Sequence, residues 1–335
     1  MHPIMFNHLF RLAVFPLWFF CFSPLLADPP SFLQLQQDVP LTGGTSRFDG
    51  QAFDPDTGTL FIAHMGAGQI IAYNTKDGRV DAILAGYPGV TGLLYVSELH
   101  YLYASVTRLH QVAVIDTRRL REVARIPAGN FPDGMAYVPD THELYVSDEI
   151  GGEETVIDVV KNRRVASLPM GGQVGNTRYD PNSHLVFVNG QSKNELIAID
   201  PRTRKITNRY PLHGGRHPHG LYLDSNSHLA FIGCDGDAKL LVMDLNSFQE
   251  IGVSNVGKDP DVLAFDSQLG YLYVASESGV VSLFRVRDRK IEKLGDFPVG
   301  RDAHSVEVDP QTHFVYFPLL KVNKAPVLRV MKPAD

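Results

Sequence analysis

The chain has 335 residues, is 44% hydrophobic and carries a formal net charge of −6 with its histidines neutral. A mildly acidic surface of this kind argues against non-specific binding to nucleic acid or to anionic membranes. Two cysteines, Cys21 and Cys234, cannot make a disulfide framework, and the chain is long enough to bury a large core without one.

The first 27 residues differ from the rest. Arg11 is the only Lys, Arg, Asp or Glu before Asp28. An apolar run from Leu12 to Phe22 follows, and Ser23-Pro24-Leu25-Leu26-Ala27 leads into the polar Asp28-Pro29-Pro30. A basic start, a short apolar core and a small residue before a polar stretch predict a secretory signal peptide over residues 1–27, and hence a periplasmic or secreted protein. The alternative is an uncleaved membrane anchor. The run is short for a span and contains Pro16, so no stable span is expected after cleavage. Cys21 lacks the small-residue context of a lipid anchor.

From residue 28 to 335 the chain is expected to be one repeat-built domain. Each unit opens on one residue: Asp49, Thr91, Asp133, Asn176, His219, Asp261 and His304, at steps of 42 or 43 residues. The second apolar runs keep the same phase: Leu60-Phe61-Ile62, Leu102-Tyr103-Ala104, Leu144-Tyr145-Val146, Val186-Phe187-Val188, Ala230-Phe231-Ile232, Leu272-Tyr273-Val274 and Val315-Tyr316-Phe317. Short strands at this period predict an all-β, seven-bladed β-propeller with four antiparallel strands per blade. The last unit has only three strands of its own, so Phe32-Leu33-Gln34-Leu35 from the front is expected to close the ring.

These units resemble the YVTN-repeat (YncE-like) family of β-propellers. The residues that carry the resemblance are Leu144-Tyr145-Val146-Ser147, Val186-Phe187-Val188-Asn189, Val114-Ile115-Asp116-Thr117, Phe131-Pro132-Asp133-Gly134 and His217-Pro218-His219-Gly220. The resemblance implies an exported bacterial propeller and no particular reaction. Related rings include streptogramin lyases and six-bladed lactonases, but the glutamates they use have no counterpart at the opening positions here.

In a propeller the first strands line the central channel and the opening residues gather at one mouth. Carboxylates and imidazoles converging there could hold one divalent metal, with Asp49, His219 and His304 as the preferred ligands and Asp133 and Asp261 next. Thr91, Asn176, His217, Arg216 and Arg301 are expected around that mouth, with His64 and Asp148 as outer contacts. The plainer account is a wet channel mouth with no ligand. Cys234 reads as a small buried residue. His142, His184, His228 and His313 share a phase on the opposite face and read as turn residues. Asp116, Asp158, Asp200 and Asp244 recur after the third strands and read as acceptors of turn amides. A basic stripe of Arg118, Arg119, Arg121, Lys161, Arg163, Arg164, Arg202, Arg204 and Lys205 reads as solvated turn charge.

HExxH, GxSxG, Walker and dinucleotide motifs are absent from the sequence. Two functions are therefore expected. One is a binding scaffold that presents the channel mouth to a small molecule, a cofactor or a periplasmic protein; nucleic acid is not an expected partner. The other is a metal-dependent hydrolase, lyase or oxidoreductase acting at the same mouth.

Overall fold

The computed structural model of the protein describes residue 2 and residues 32–334. The expected leader lies outside them. The described strands form seven antiparallel sheets of four strands each. In blade 3, Pro132–Val138, Glu143–Asp148, Glu153–Asp158 and Arg163–Pro169 pair in that order. The inner strands of the other blades are Gln51–Asp54, Val90–Val96, Thr177–Asp180, Pro218–Asp224, Pro260–Asp266 and Glu307–Asp309.

Blade 7 takes its outer strand from the front of the chain. Leu33–Pro40 pairs antiparallel with Ala325–Pro333. The Arg329 guanidinium donates to both Asp38 carboxylate oxygens across this seam, at 2.8 and 2.7 Å. The propeller and its closing strand are thus as the repeat predicts; the strand runs further than expected, to Pro40.

The core is seven cores, one in each gap between neighbouring blades. Leu60, Ile62, Ile71 and Tyr73 of blade 1 meet Tyr316, Leu328 and Val330 of blade 7. Phe187, Leu196 and Ala198 of blade 4 meet Ala230, Ile232 and Leu241 of blade 5. A strand covered on both faces needs no hydrophobic alternation, which is why the middle strands read as continuous apolar runs. Between third and fourth strands the register slips at one equivalent place in six blades, for example at Val114/Ile115 and Val156/Ile157. Such a bulge increases twist, as wedge-shaped blades require. No described helix is long and apolar enough to cross a membrane.

The turn residues behave as expected. His142, His184, His228 and His313 all have positive φ, between 52° and 64°. Asp116, Asp158, Asp200 and Asp244 each accept a backbone amide two residues on, at 2.9–3.1 Å. Much of the basic stripe is neutralised locally: Arg119 pairs with Asp116, Lys161 with Asp158, Arg164 with Glu153 and Arg204 with Glu143.

Candidate functional site at the channel mouth

A cavity of about 900 Å³ runs along the inner strands. At one end it is lined by Asp49, Thr91, Asp133, Asn176, His219 and Asp261, so six of the seven opening residues reach it. Backbone irregularity puts them there. In blades 2, 3, 5 and 6 the register slips between Val90 and Leu93, Pro132 and Met135, Pro218 and Leu221, and Pro260 and Leu263. Each slip spans the opening residue and frees it from the ladder, the usual way a bulge re-aims a side chain. In blades 2, 3 and 5 a glycine follows, and close approach requires it. A Cβ on Gly92 would lie 2.1 Å from the Asp133 carbonyl oxygen, and one on Gly220 would lie 2.0 Å from that of Asp261. Small residues at this position therefore let the next blade's opening peptide reach the axis.

His219 is the hub. Its Nε2 lies 3.2 Å from Asp261 Oδ1, and its Nδ1 lies 4.0 Å from Glu149 Oε1 and against the side-chain amide of Gln191. Burial alone would lower the imidazolium, but Asp261, Asp133 and Glu149 raise it to about 10. The Gln191 atom placed against Nδ1 is Nε2. A doubly protonated ring has two donors and no acceptor, so it requires that amide to be turned over, its oxygen accepting from Nδ1–H. Burial pushes the Asp261 carboxyl up, and His219 more than reverses this, bringing it down to about 2.

Arg47 is the second cation. Its guanidinium donates to Glu277 at 2.7 Å and lies 3.6 Å from Asp49 and 3.8 Å from Asp261. Burial, then repulsion by Asp133 and Asp261, holds the Asp49 carboxyl well above the usual range. Burial likewise raises Asp133 and Glu149. Asp49, Asp133, Asp261, Glu149 and Glu277 thus surround two cations, and burial raises three of these five carboxyl groups. Such a site favours an added positive charge.

The expected metal set is not assembled. Among the described residues no group of three His, Cys, Asp or Glu is arranged to hold a metal ion. Asp49 and Asp261 face Arg47, and His219 is engaged with Asp261. His304 is 2% exposed and does not line the cavity. Its Nδ1–H donates to the Asp302 carbonyl at 3.1 Å, burial lowers its basicity, and among the described residues its Nε2 has no hydrogen-bond partner.

His64 and Asp148 require a correction, because both are buried and neither lines the cavity. His64 stacks on Phe48 with ring centroids 4.0 Å apart and meets Ser46 Oγ at 3.0 Å. Asp148 accepts the amides of Asn130, Phe131 and Gly151. The residue after each faces the mouth instead: the second strands end at His64 and Asp148, and the chain turns at the next residue, into a short 3-10 helix at Met65 and a turn at Glu149. Met65, Glu149, Asp235 and Glu277 line the cavity, while Thr107 and Gln191 hydrogen-bond to Thr91 and His219. Arg216, His217 and Arg301 sit on the rim outside the lining. His217 pairs with Asp235 at 2.6 Å, Arg216 lies 3.8 Å from Asp237, and Arg301 is 89% exposed beside Asp302. Cys234 is fully buried, as expected, and burial pushes its thiol up.

Deeper in the channel stand three groups that the sequence reading missed: Arg178, Tyr222 and Glu307. Two residues past the opening position the other blades carry Gln51, Leu93, Met135, Leu221, Leu263 and Val306. A lone arginine in that column is the signal that could have found the first. A lone glutamate one position further, where the others carry Ala, Leu or Tyr, could have found Glu307. Burial raises Glu307 to about 7 and lowers Arg178.

No protein-family model matches this chain and no curated protein matches it in sequence. Solved structures do match in shape. A chain of Kuenenia stuttgartiensis hydrazine synthase is similar with a TM-score of 0.71 at 16% identity, over 88% of this chain and 97% of that one. A chain of a mitotic checkpoint complex is similar with a TM-score of 0.77 at 12% identity, over 97% and 100%. The RRP9 WD40 repeats are similar with a TM-score of 0.74 at 14% identity, over 90% and 100%. Likeness at such identities is a likeness of fold, and it agrees with the strands and pairings above: the chain is a seven-bladed β-propeller.

Proposed function

We propose that this protein is an exported, YVTN-type propeller that works as a binding scaffold, and that its ligand site is the charged mouth of the axial channel. The observation that carries this reading is the cluster of Asp49, Asp133, Asp261, Glu149, Glu277, Arg47 and His219 around one end of a 900 Å³ cavity. Charge held in a concave, partly desolvated site and left short of counter-charge is poised for a ligand. Export rests on the composition of residues 1–27. Matching structures taken from assemblies, such as the mitotic checkpoint complex, make a protein partner at this mouth a compatible form of the same reading.

The test is a thermal-shift survey of a broad set of small metabolites against the wild type and an Asp133→Asn/Asp261→Asn variant. Compounds that raise the melting temperature of the wild type alone support the mouth as the site. A survey in which every response is shared by the variant contradicts it. The metal-dependent reading stands second, favoured by the unpartnered Nε2 of the buried His304. Elemental analysis of the dialysed protein decides it: about one metal per chain, lost in His304→Ala, would support that reading.

A further inference from the structure

Arg178 is a cation in the wall of the channel with no direct ion pair; Glu307 and Asp133 act on it only at longer range. Its guanidinium donates to the carbonyl of its own neighbour, Thr177, at 2.9 Å, and among the described residues no carboxylate lies within ion-pairing distance of it. Glu307, on blade 7, lies beyond that distance and accepts the amide of Val308 at 3.0 Å. A half-buried guanidinium that lines a cavity and has no carboxylate in contact is a ready binding point for an anion. The mouth above it has the opposite need, with Asp49, Asp133, Asp261, Glu149 and Glu277 against Arg47 and His219. Arg178 lies two residues below the opening ring, about 7 Å along the axis at ~3.3 Å per residue.

A simple anion would reach Arg178 but would have to sit beneath the carboxyl groups. A simple cation would suit the mouth and leave Arg178 bare. One small molecule carrying both charges satisfies both walls. We propose that the channel binds a small zwitterion, with its protonated amine on the carboxyl groups around Asp133 and its carboxylate on Arg178. The inference rests on the mouth being a ligand site and names the ligand's class: amino acids and short amino acids whose charges are separated by one to about four carbons. A carboxylate held by arginine and an ammonium held by carboxylates are charge-assisted contacts, the strongest kind available to so small a ligand. Tyr222, on the neighbouring blade 5, lines the same stretch of channel and has a hydroxyl to donate.

The test is calorimetric titration of the purified protein with glycine, β-alanine, γ-aminobutyrate and the common protein amino acids. Propionate, butyrate, propylamine and butylamine serve as single-charge controls. At least one zwitterion is expected to bind about tenfold or more tighter than its matched carboxylate and amine, one charged hydrogen bond being worth that much. In Arg178→Gln its affinity should fall about tenfold, to the level of the matched amine, while Arg178→Lys should keep part of it. Circular dichroism melts establish that both variants are folded, and if Arg178→Gln is not, the comparison rests on Arg178→Lys. Failure of every zwitterion to bind overturns the inference, as does unchanged affinity in the Arg178 variants. An amine that binds as tightly as the zwitterion, survives Arg178→Gln and is lost in Asp133→Asn overturns the zwitterion alone and leaves the mouth standing as a site.

Discussion

His219 and Asp261 set the charge of the mouth, and their effect on stability has a definite pH window. The imidazole's affinity for its proton is raised from an ordinary 6.5 to about 10. Its stabilising contribution is therefore complete below pH 6.5 and lost as the pH rises through about 10. Asp261 is depressed from 3.8 to about 2, so its part is present above pH 3.8 and lost as the pH falls through 2. Urea denaturation of the wild type and His219→Gln across pH should show the largest difference between pH 4 and 6.5. A difference that stays constant to pH 10 would contradict the pairing. Glu154 behaves oppositely. It is fully buried, neither carboxyl oxygen has a partner, and burial raises its affinity for a proton well above the ordinary 4.5. The unfolded chain releases that proton above pH 4.5 and the folded chain holds it, so this side chain costs stability as the pH rises. Glu154→Gln should raise the melting temperature at pH 8 and leave it nearly unchanged at pH 4.

At the scale of strands and blades, ring closure depends on Leu33–Pro40. Without it, the edge of Ala325–Pro333 is open and the apolar face that Leu33 and Val39 cover is exposed. Removing residues up to 40 should give a chain that self-associates on size-exclusion chromatography, since an unpaired edge templates further pairing. Arg329→Met, which removes the fork to Asp38 and the hydrogen bond to the Val299 carbonyl, should cost about 1–3 kcal/mol, the scale of partly buried charged hydrogen bonds. The blades were legible in the sequence because each inter-blade core needs apolar residues on both faces of the middle strands, which repeats at a fixed period. The mouth was legible only in part. Opening residues share that period, so Asp49, Asp133, Asp261 and His219 could be placed together. His64 and Asp148 were one residue out of phase, being the last residues of their strands, whereas the turn residues that follow reach the mouth. Arg47 lies two residues before its opening residue, in the column of Gly89, Phe131, Val174, His217, Asp259 and Asp302, so it stands out, as Arg178 does, by departing from its column.

For the whole molecule, seven cores of similar construction sit between blades in a closed ring, so damage in one gap is shared by all. Phe187 is fully buried between blades 4 and 5. Phe187→Ala should cost about 3–5 kcal/mol through lost burial and the cavity left behind. Unfolding should nonetheless remain a single transition, coincident by circular dichroism and tyrosine fluorescence. Such a disc holds the channel residues rigidly, and the specificity of the site then follows from which charges the seven inner strands present. The most direct measurement of that claim is nuclear magnetic resonance of protein labelled with ¹⁵N-histidine, following the His219 ring between pH 6 and 11. The account predicts that both ring nitrogens remain protonated at pH 8 and titrate near 10, and that this ring loses its proton at lower pH in Asp261→Asn. A His219 that titrates near 6.5 in the wild type would contradict a pre-charged mouth and, with it, the assignment of this face as the working face of the propeller.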